Sequence, residues 1–302
     1  MPEEEVTLSL AWWNCQLSPP STKASKNNIT PGFESTISHL LQTLAIDVLA
    51  LGEVDDGNIE DIQRLLINLN LVRHRVINLY EQNGNSIDDF CVIYNTDKMQ
   101  FMGELDHPNY SDETAKNWLK AGKLISFSLS DETPLYLVVC HWQSRNRYYP
   151  GSEQRNLLGR SVRTALTKLL DQDEDALIVV LGDFNNEPFE APIESCLRAS
   201  RDATYLLKRP RYLFNPFWTV LAPSCNDSDS AHGTYSGSND SIPTRHCTFD
   251  QIMFSAAFVR NWRFEGNGAA ILHYHTGLPH GVTQRDVSDH FPIISRLTRA
   301  TT

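Results

Sequence analysis

The sequence predicts a mixed α+β fold, rich in strands with fewer helices, in one domain. Three observations predict it. Short apolar runs of strand length recur from one end of the 302-residue chain to the other. Only a few segments between them keep a helical period of apolar residues. Strands and helices do not alternate strictly, as a doubly wound sheet would require.

In chain order, the strand-like runs are VTLSLAWWN, DVLALGEV, RHRVINLY, FCVIYN, KLISFSLS, LYLVVCHW, ALIVVLGDF, CTFDQIMFS and the terminal FPIISRL. The first helix is expected over about Phe33 to Ala45, where Ile37, Leu40, Leu41 and Leu44 share a face. A second is expected over Ile59 to Leu69. A third runs over Ser152 to Leu170, where Leu157, Leu158, Val162, Ala165, Leu166 and Leu169 keep the period. The stretch from Ser224 to Thr244 is polar and rich in Ser, Asn, Asp and Gly. It reads as a surface loop inside a single domain spanning 1–302, because a strand and further motifs follow it.

Composition narrows the classes. Hydrophobic residues at 41% and charged residues at 21% are ordinary for a soluble globular protein. The formal net charge of −11 argues against a broad basic surface for long duplex nucleic acid, while allowing a local basic groove and a cation site built from carboxylates. No apolar run approaches membrane-spanning length. The start, MPEEEVTLSL, lacks the basic and long apolar segments of a signal peptide. The six cysteines are scattered with no CxxC pair, so buried thiols, no structural zinc and a cytoplasmic location are the expectation.

The strand-like runs carry polar residues at or near their ends. Asn14 closes the first, Glu53 follows the second, His141 stands at the end of LYLVVCHW, and Asp183 and Asn185 end the run VVLGDFNNEP. Asp250 lies near the start of TFDQIMF, and Asp289 and His290 precede the last strand. Singly, each fits a solvated turn residue or a packed core residue. Together they would bring acid, amide and imidazole groups to one edge of a sheet core, where loops on a rigid scaffold commonly carry chemistry. Phe184, between Asp183 and Asn185, should point to the opposite face and into packing.

The motifs WWNCQ, LALGEVD, CHWQSR, LGDFNNEP, TFDQIMFS and SDHFPI occur in this order from Asn14 to Pro292. With them the chain resembles the endonuclease/exonuclease/phosphatase superfamily, GDFN combined with a downstream SDH before a strand being the specific part. HWQSR and the run from Phe214 to Gln251 are similar to a bacterial HWxSR-type subgroup. The resemblance implies a four-layer α/β/β/α sandwich of two packed mixed β-sheets flanked by helices, with the site at one end. It implies Glu53 as a metal carboxylate, Asn14 beside it holding Glu53 or the metal's water shell, and Asp289 near the metal. Asp183 would orient or activate the attacking water, and Asn185 would bind the scissile phosphate. His141 would contact phosphate with Asp89 as its orienting acid, Asp88 being the adjacent alternative. His290 would contact the phosphoryl group or move a proton, oriented by Asp250. Mg²⁺ or Mn²⁺ suits this oxygen-rich set better than zinc.

Past His141, Arg145 and Arg147 are candidate phosphate contacts, and Tyr148 a candidate substrate contact. The reading is a metal-dependent hydrolase of phosphoester bonds, with DNA, RNA or a nucleotide as the favoured substrate. The alternatives are a phosphatase or phosphodiesterase for a small nucleotide, inositol or lipid phosphoester, and, further off, an inactive binding scaffold.

Overall fold

The computed structural model describes residues 5–18, 29–83, 86–112, 117–221, 233–236, 246–273, 277–279, 282 and 287–300. The strands of its main sheets are β1 (Glu5–Asn14), β2 (Val48–Gly52), β3 (His74–Asn78), β4 (Phe90–Asn95), β5 (Met99–Glu104), β6 (Lys123–Leu129), β7 (Pro134–His141), β8 (Leu177–Asp183), β9 (Ala199–Ser200), β10 (Leu213–Phe214), β11 (Asp250–Ser255), β12 (Arg263–Phe264), β13 (Ala270–Ile271) and β14 (Ile293–Ala300). They form two 7-stranded sheets. The first has the order β12-β14-β1-β2-β4-β3, with β13 also on β14. The second has the order β9-β10-β11-β8-β7-β6-β5. The helices are α1 (Pro31–Ser38), continued by a π-helical turn over His39–Thr43, α2 (Asp56–Asn68), α3 (Glu153–Gln172), α4 (Ala203–Lys208) and α5 (Ala256–Asn261).

The central strands are apolar on both faces, and alternation splits each run between two cores. Leu10, Trp12, Ala50 and Val92 of the first sheet face Phe127, Val139, Leu181 and Ile252 of the second, forming the layer between the sheets. The intervening residues Ala11, Trp13, Leu49, Leu51 and Ile93 pack outward on Phe33 and Ile37 of α1 and on Ile59 and Ile62 of α2. Val138, Cys140, Ile178 and Val180 of the second sheet pack outward on Leu158, Val162 and Leu166 of α3. The fold is therefore an α+β sandwich of two mixed sheets flanked by helices.

Each sheet contains a β–helix–β crossover that joins parallel neighbours, β1-α1-β2 in one and β7-α3-β8 in the other. In both pairs the strands end together, Asn14 opposite Gly52 and His141 opposite Asp183. The polar residues read at strand ends are thereby delivered to neighbouring strand ends.

The expected strands all form, and the expected helices lie within a few residues of their predicted bounds. The first is shorter as an α-helix because Thr30 caps it and the chain slips into a π turn after Ser38. The second starts earlier, at Asp56, where Asp55 and Asn58 make a reciprocal capping box. The strands β5, β9, β10, β12 and β13 were not foreseen. They are short or carry polar residues and offer no sustained apolar run. Of the polar segment 224–244, residues 224–232 and 237–244 lie outside the described residues, and Tyr235–Ser236 pairs with His246–Cys247. Among the described residues no helix is long and apolar enough to cross a membrane.

Gly182 is the most closely approached glycine of the second sheet. Its φ is +149°, and a Cβ there would lie 1.8 Å from the Cys140 carbonyl oxygen. Gly182→Ala is expected to cost upwards of about 3 kcal/mol, read as the urea midpoint of unfolding. An unchanged midpoint would refute this account of GDFN's glycine.

Candidate active site

At the edge of the first sheet, Asn14 ends β1 and Glu53 follows β2. Glu53 has φ +58°, a left-handed conformation that L residues other than Gly and Asn seldom adopt. It is held there from both sides: Ser18 N donates to its carbonyl at 2.7 Å, and Val54 N donates to Asp89 O at 3.2 Å. Asn14 Nδ2 donates to Glu53 Oε1 at 3.1 Å and reaches across to Asp183 Oδ2 of the second sheet at 3.4 Å.

In the second sheet His141, Asp183 and Asp250 are direct cross-strand neighbours in register on β7, β8 and β11. Past β8, Asn185 takes φ +49°. Its backbone N–H donates to Asp183 Oδ1 at 2.7 Å, and its side-chain amide donates to Trp142 O at 2.9 Å and Asp183 Oδ2 at 3.2 Å. Phe184 is fully buried edge-on against Trp142, at 5.0 Å between ring centroids, on the packing side as alternation requires.

Both histidines are backed by a carboxylate at Nδ1. His141 Nδ1 is 3.0 Å from Asp89 Oδ1, and His290 Nδ1 is 2.7 Å from Asp250 Oδ2. The Nε2 atoms of both then face one atom, Asp183 Oδ2, at 3.8 Å and 3.7 Å. His141 Nε2 is also 3.8 Å from Glu53 Oε1, and Asp289 Oδ1 lies 4.0 Å from His290 Nε2. The two adjacent acids 88 and 89 divide their work: Asp88 binds the buried ammonium groups of Lys120 at 2.7 Å and Lys123 at 3.6 Å, which leaves Asp89 to His141.

Burial pushes the Glu53 and Asp183 carboxyls up, against the pull of His141 and His290. Burial alone would lower the imidazoles, but the carboxylates outweigh it. His141 is raised to about 10, chiefly by Asp89, and His290 to about 10, chiefly by Asp250. An imidazole raised in the folded state stabilises the fold fully below its unfolded value near 6.5, and that contribution disappears as pH rises toward the folded value. In EDTA, stability should therefore fall from pH 6.5 to 9.5, by on the order of 1 kcal/mol per pH unit. Urea midpoints across that range check this, and His290→Asn should flatten the slope. A midpoint that holds or rises with pH would refute it.

Asp183, Asp250 and His290 each place one potential ligand atom within 4.8 Å of the others, so a divalent-cation site is available. Within that trio, however, Asp250 is already committed, with Oδ2 on His290 and Oδ1 accepting Trp12 Nε1 at 2.7 Å. Glu53 Oε2, by contrast, is buried and has no hydrogen-bond partner. A bare carboxylate oxygen in a desolvated pocket suits a hard cation, which takes oxygen ligands. The donor set thus suits a divalent cation, with Glu53 Oε2 a further ligand atom left without a partner among the described residues.

The rim candidates lie further out. The Arg145 guanidinium donates to Glu190 Oε2 at 2.7 Å and to Asn185 O at 3.0 Å, bracing the loop after β8. Arg147 is exposed with its guanidinium 5.8 Å from the Tyr148 ring, and Tyr148 is half-buried against the core under α3. Sequence reasoning missed Arg155, which is fully buried and donates to Tyr148 O, Asn186 Oδ1 and Gln143 O, tying the two site loops together. It also missed the site roles of Trp12 and Trp13. Trp12 holds Asp250, and Trp13 Nε1 donates to His290 O at 3.1 Å. A buried indole needs a partner for its N–H, so the AWWN run beside a site asparagine carried a signal. Tyr235 was missed as a site residue too. Its ring lies 4.8 Å from the His290 ring, and burial together with Asp289, Asp183 and Glu53 pushes its phenol up.

The profile of the Endonuclease/Exonuclease/phosphatase family matches residues 31–299. No curated protein matches the sequence. Among similar solved structures, the human Nocturnin catalytic domain with bound sulfate has 17% identity and a TM-score of 0.61, covering 99% of this chain and 96% of that one. D. rerio TDP2 with a single-strand DNA product has 16% identity and a TM-score of 0.60, covering 96% and 98%. A Bacteroides thetaiotaomicron mannosyl-6-phosphatase has 16% identity and a TM-score of 0.61, covering 96% and 99%. At these identities the likeness establishes the shared fold.

Proposed function

The chain belongs to the Endonuclease/Exonuclease/phosphatase family, and from that premise we propose that it is a divalent-cation-dependent hydrolase of phosphoester bonds, with a nucleic acid or nucleotide diester as its substrate. One observation carries the reading: two carboxylate-backed imidazoles aim their Nε2 atoms at the same oxygen of Asp183, at 3.8 Å and 3.7 Å. A water at Asp183 would be oriented for in-line attack and give up its proton to that carboxylate. His141 and His290 would donate from Nε2 to phosphoryl oxygens as charge develops, each fixed in one tautomer by its acid. The Asn185 amide, held by Trp142 O, would exchange its 3.2 Å bond to Asp183 Oδ2 for one to the scissile phosphate. Glu53 would hold the cation, with Asn14 and Asp289 beside it. Bound there, Mg²⁺ or Mn²⁺ would supply neutralising charge for the phosphoryl oxygens.

The nuclease side of the reading rests on the His141–Asp89 pair, which resembles the deoxyribonuclease branch, and the HWQSR motif is the basis for the bacterial subgroup. The formal net charge of −11 favours a short, single-stranded or small nucleotide substrate over long duplex. Arg147, exposed on the segment that follows His141, would be the cation to meet such a substrate, whereas Arg145 acts through the Asn185 loop. The second reading, a phosphatase for a small phosphoester, draws on the same charge and on the fold shared with a sugar phosphatase.

A panel of plasmid, single-stranded DNA, RNA, nucleotide diesters and sugar phosphates, with Mg²⁺, Mn²⁺ or EDTA and beside His290→Ala, tests both. Metal-dependent cleavage of a nucleic acid or nucleotide diester is expected. If these stayed intact while a sugar phosphate was hydrolysed, the second reading would replace the first. If no metal-dependent turnover appeared, both would be dropped.

A further inference from the structure

Tyr235 stands at the site with no part in the chemistry above. Its ring packs on the His290 imidazole, with centroids 4.8 Å apart at 48°, and stacks on Phe249 at 5.4 Å and 22°. Arg145 lies over the Phe249 ring at 4.4 Å, so Arg145, Phe249, Tyr235 and His290 form one column. The backbone is fixed as firmly. Tyr235 and His290 form an antiparallel bridge, Ser236 N donates to Asp289 O at 2.9 Å, and Phe291 N donates to Thr234 O at 2.7 Å. Gly233, at φ +78°, admits this approach, since a Cβ there would sit 2.7 Å from Cys247 O.

The hydroxyl differs from the ring. It makes no hydrogen bond to any described residue, and the side chain is half-buried. A phenol is an O–H donor at neutral pH and can serve an acceptor brought to His290. A ring clamped on two sides leaves only the C–O torsion free, so the donor is preorganised at small entropic cost.

We propose that Tyr235 is a further catalytic residue, its hydroxyl donating a hydrogen bond to a non-bridging oxygen of the phosphoryl group that His290 serves. The proposal rests on the phosphoesterase reading. It is separable from a packing role, because phenylalanine would keep every ring contact and lose only the donor.

The test compares wild type with Tyr235→Phe in two measurements: steady-state kinetics on the best substrate of the panel, and binding of orthovanadate with Mg²⁺ as a mimic of the phosphoryl transition state. Tyr235→Phe is expected to lower kcat about 10- to 100-fold with KM nearly unchanged, and to weaken vanadate by a similar factor while inorganic phosphate binding changes less. Thermal unfolding of the variant should match wild type. Equal kcat and equal vanadate affinity would overturn the proposal, as would vanadate binding to neither protein. If wild type turned over no phosphoester, the functional reading would fail by itself. The vanadate measurement would still decide on Tyr235, equal affinities refuting the donor and weaker affinity in the variant supporting it.

Discussion

Asp183→Asn should abolish turnover, lowering kcat by about 10³-fold or more, while the protein remains folded and at least as heat-stable as wild type. The carboxylate is fully buried, and burial pushes its protonation upward, so the free protein holds this charge at a cost. Asparagine has almost the same shape and removes that cost. It also removes the proton acceptor toward which both imidazoles point and the oxygen to which the Asn14 and Asn185 amides donate. Stability and activity should therefore move in opposite directions, read by thermal unfolding and by initial rates on one sample. Asp183→Asn retaining a tenth of wild-type kcat would sink the assignment of Asp183 as the water's base.

Glu53→Gln is the second large effect, and it separates metal binding from proton transfer. Glu53 Oε1 accepts from Asn14, and Oε2 is buried without a partner. A glutamine would retain one acceptor and replace the other with an N–H₂ donor facing the space a cation would fill. Mn²⁺ affinity, measured by calorimetry, is expected to fall by about 100-fold or more. Activity at fixed Mg²⁺ should fall with it and recover in part as Mg²⁺ is raised. Asp183→Asn should show no such recovery. Unaltered Mn²⁺ affinity in Glu53→Gln would move the cation to the trio Asp183, Asp250 and His290.

The two-sheet architecture was legible in sequence because its central strands are buried on both faces and read as continuous apolar runs. The site was legible for a related reason: Asn14, Glu53, His141 and Asp183 break those runs where the parallel pairs end. What escaped was everything that depends on partners distant in sequence. Nothing local to IDDF shows that Asp88 belongs to Lys120 and Lys123 while Asp89 belongs to His141. Nothing local to AWWN shows that its indoles hold residues 250 and 290. Arg155 falls in the expected third helix with no sign of a role at the site, yet it is sealed in the interior, while Arg145 braces the loop after β8. Tyr235 sits in a polar, low-complexity stretch whose composition masks the one ring that reaches His290.

The pairing of β1 with β14 has a consequence for how the protein is made. Glu5 through Trp12 lie along Ala300 through Ile293, so β1 gains this neighbour only after β14 has been synthesised. His290 arrives just ahead of that strand, and Trp13 can fix its carbonyl only then. β7, α3 and β8, which carry His141 and Asp183, precede His290 in the chain, so the second imidazole at Asp183 is the later to be made. The arrangement of two imidazoles facing Asp183 is thus complete only once β14 has closed the first sheet.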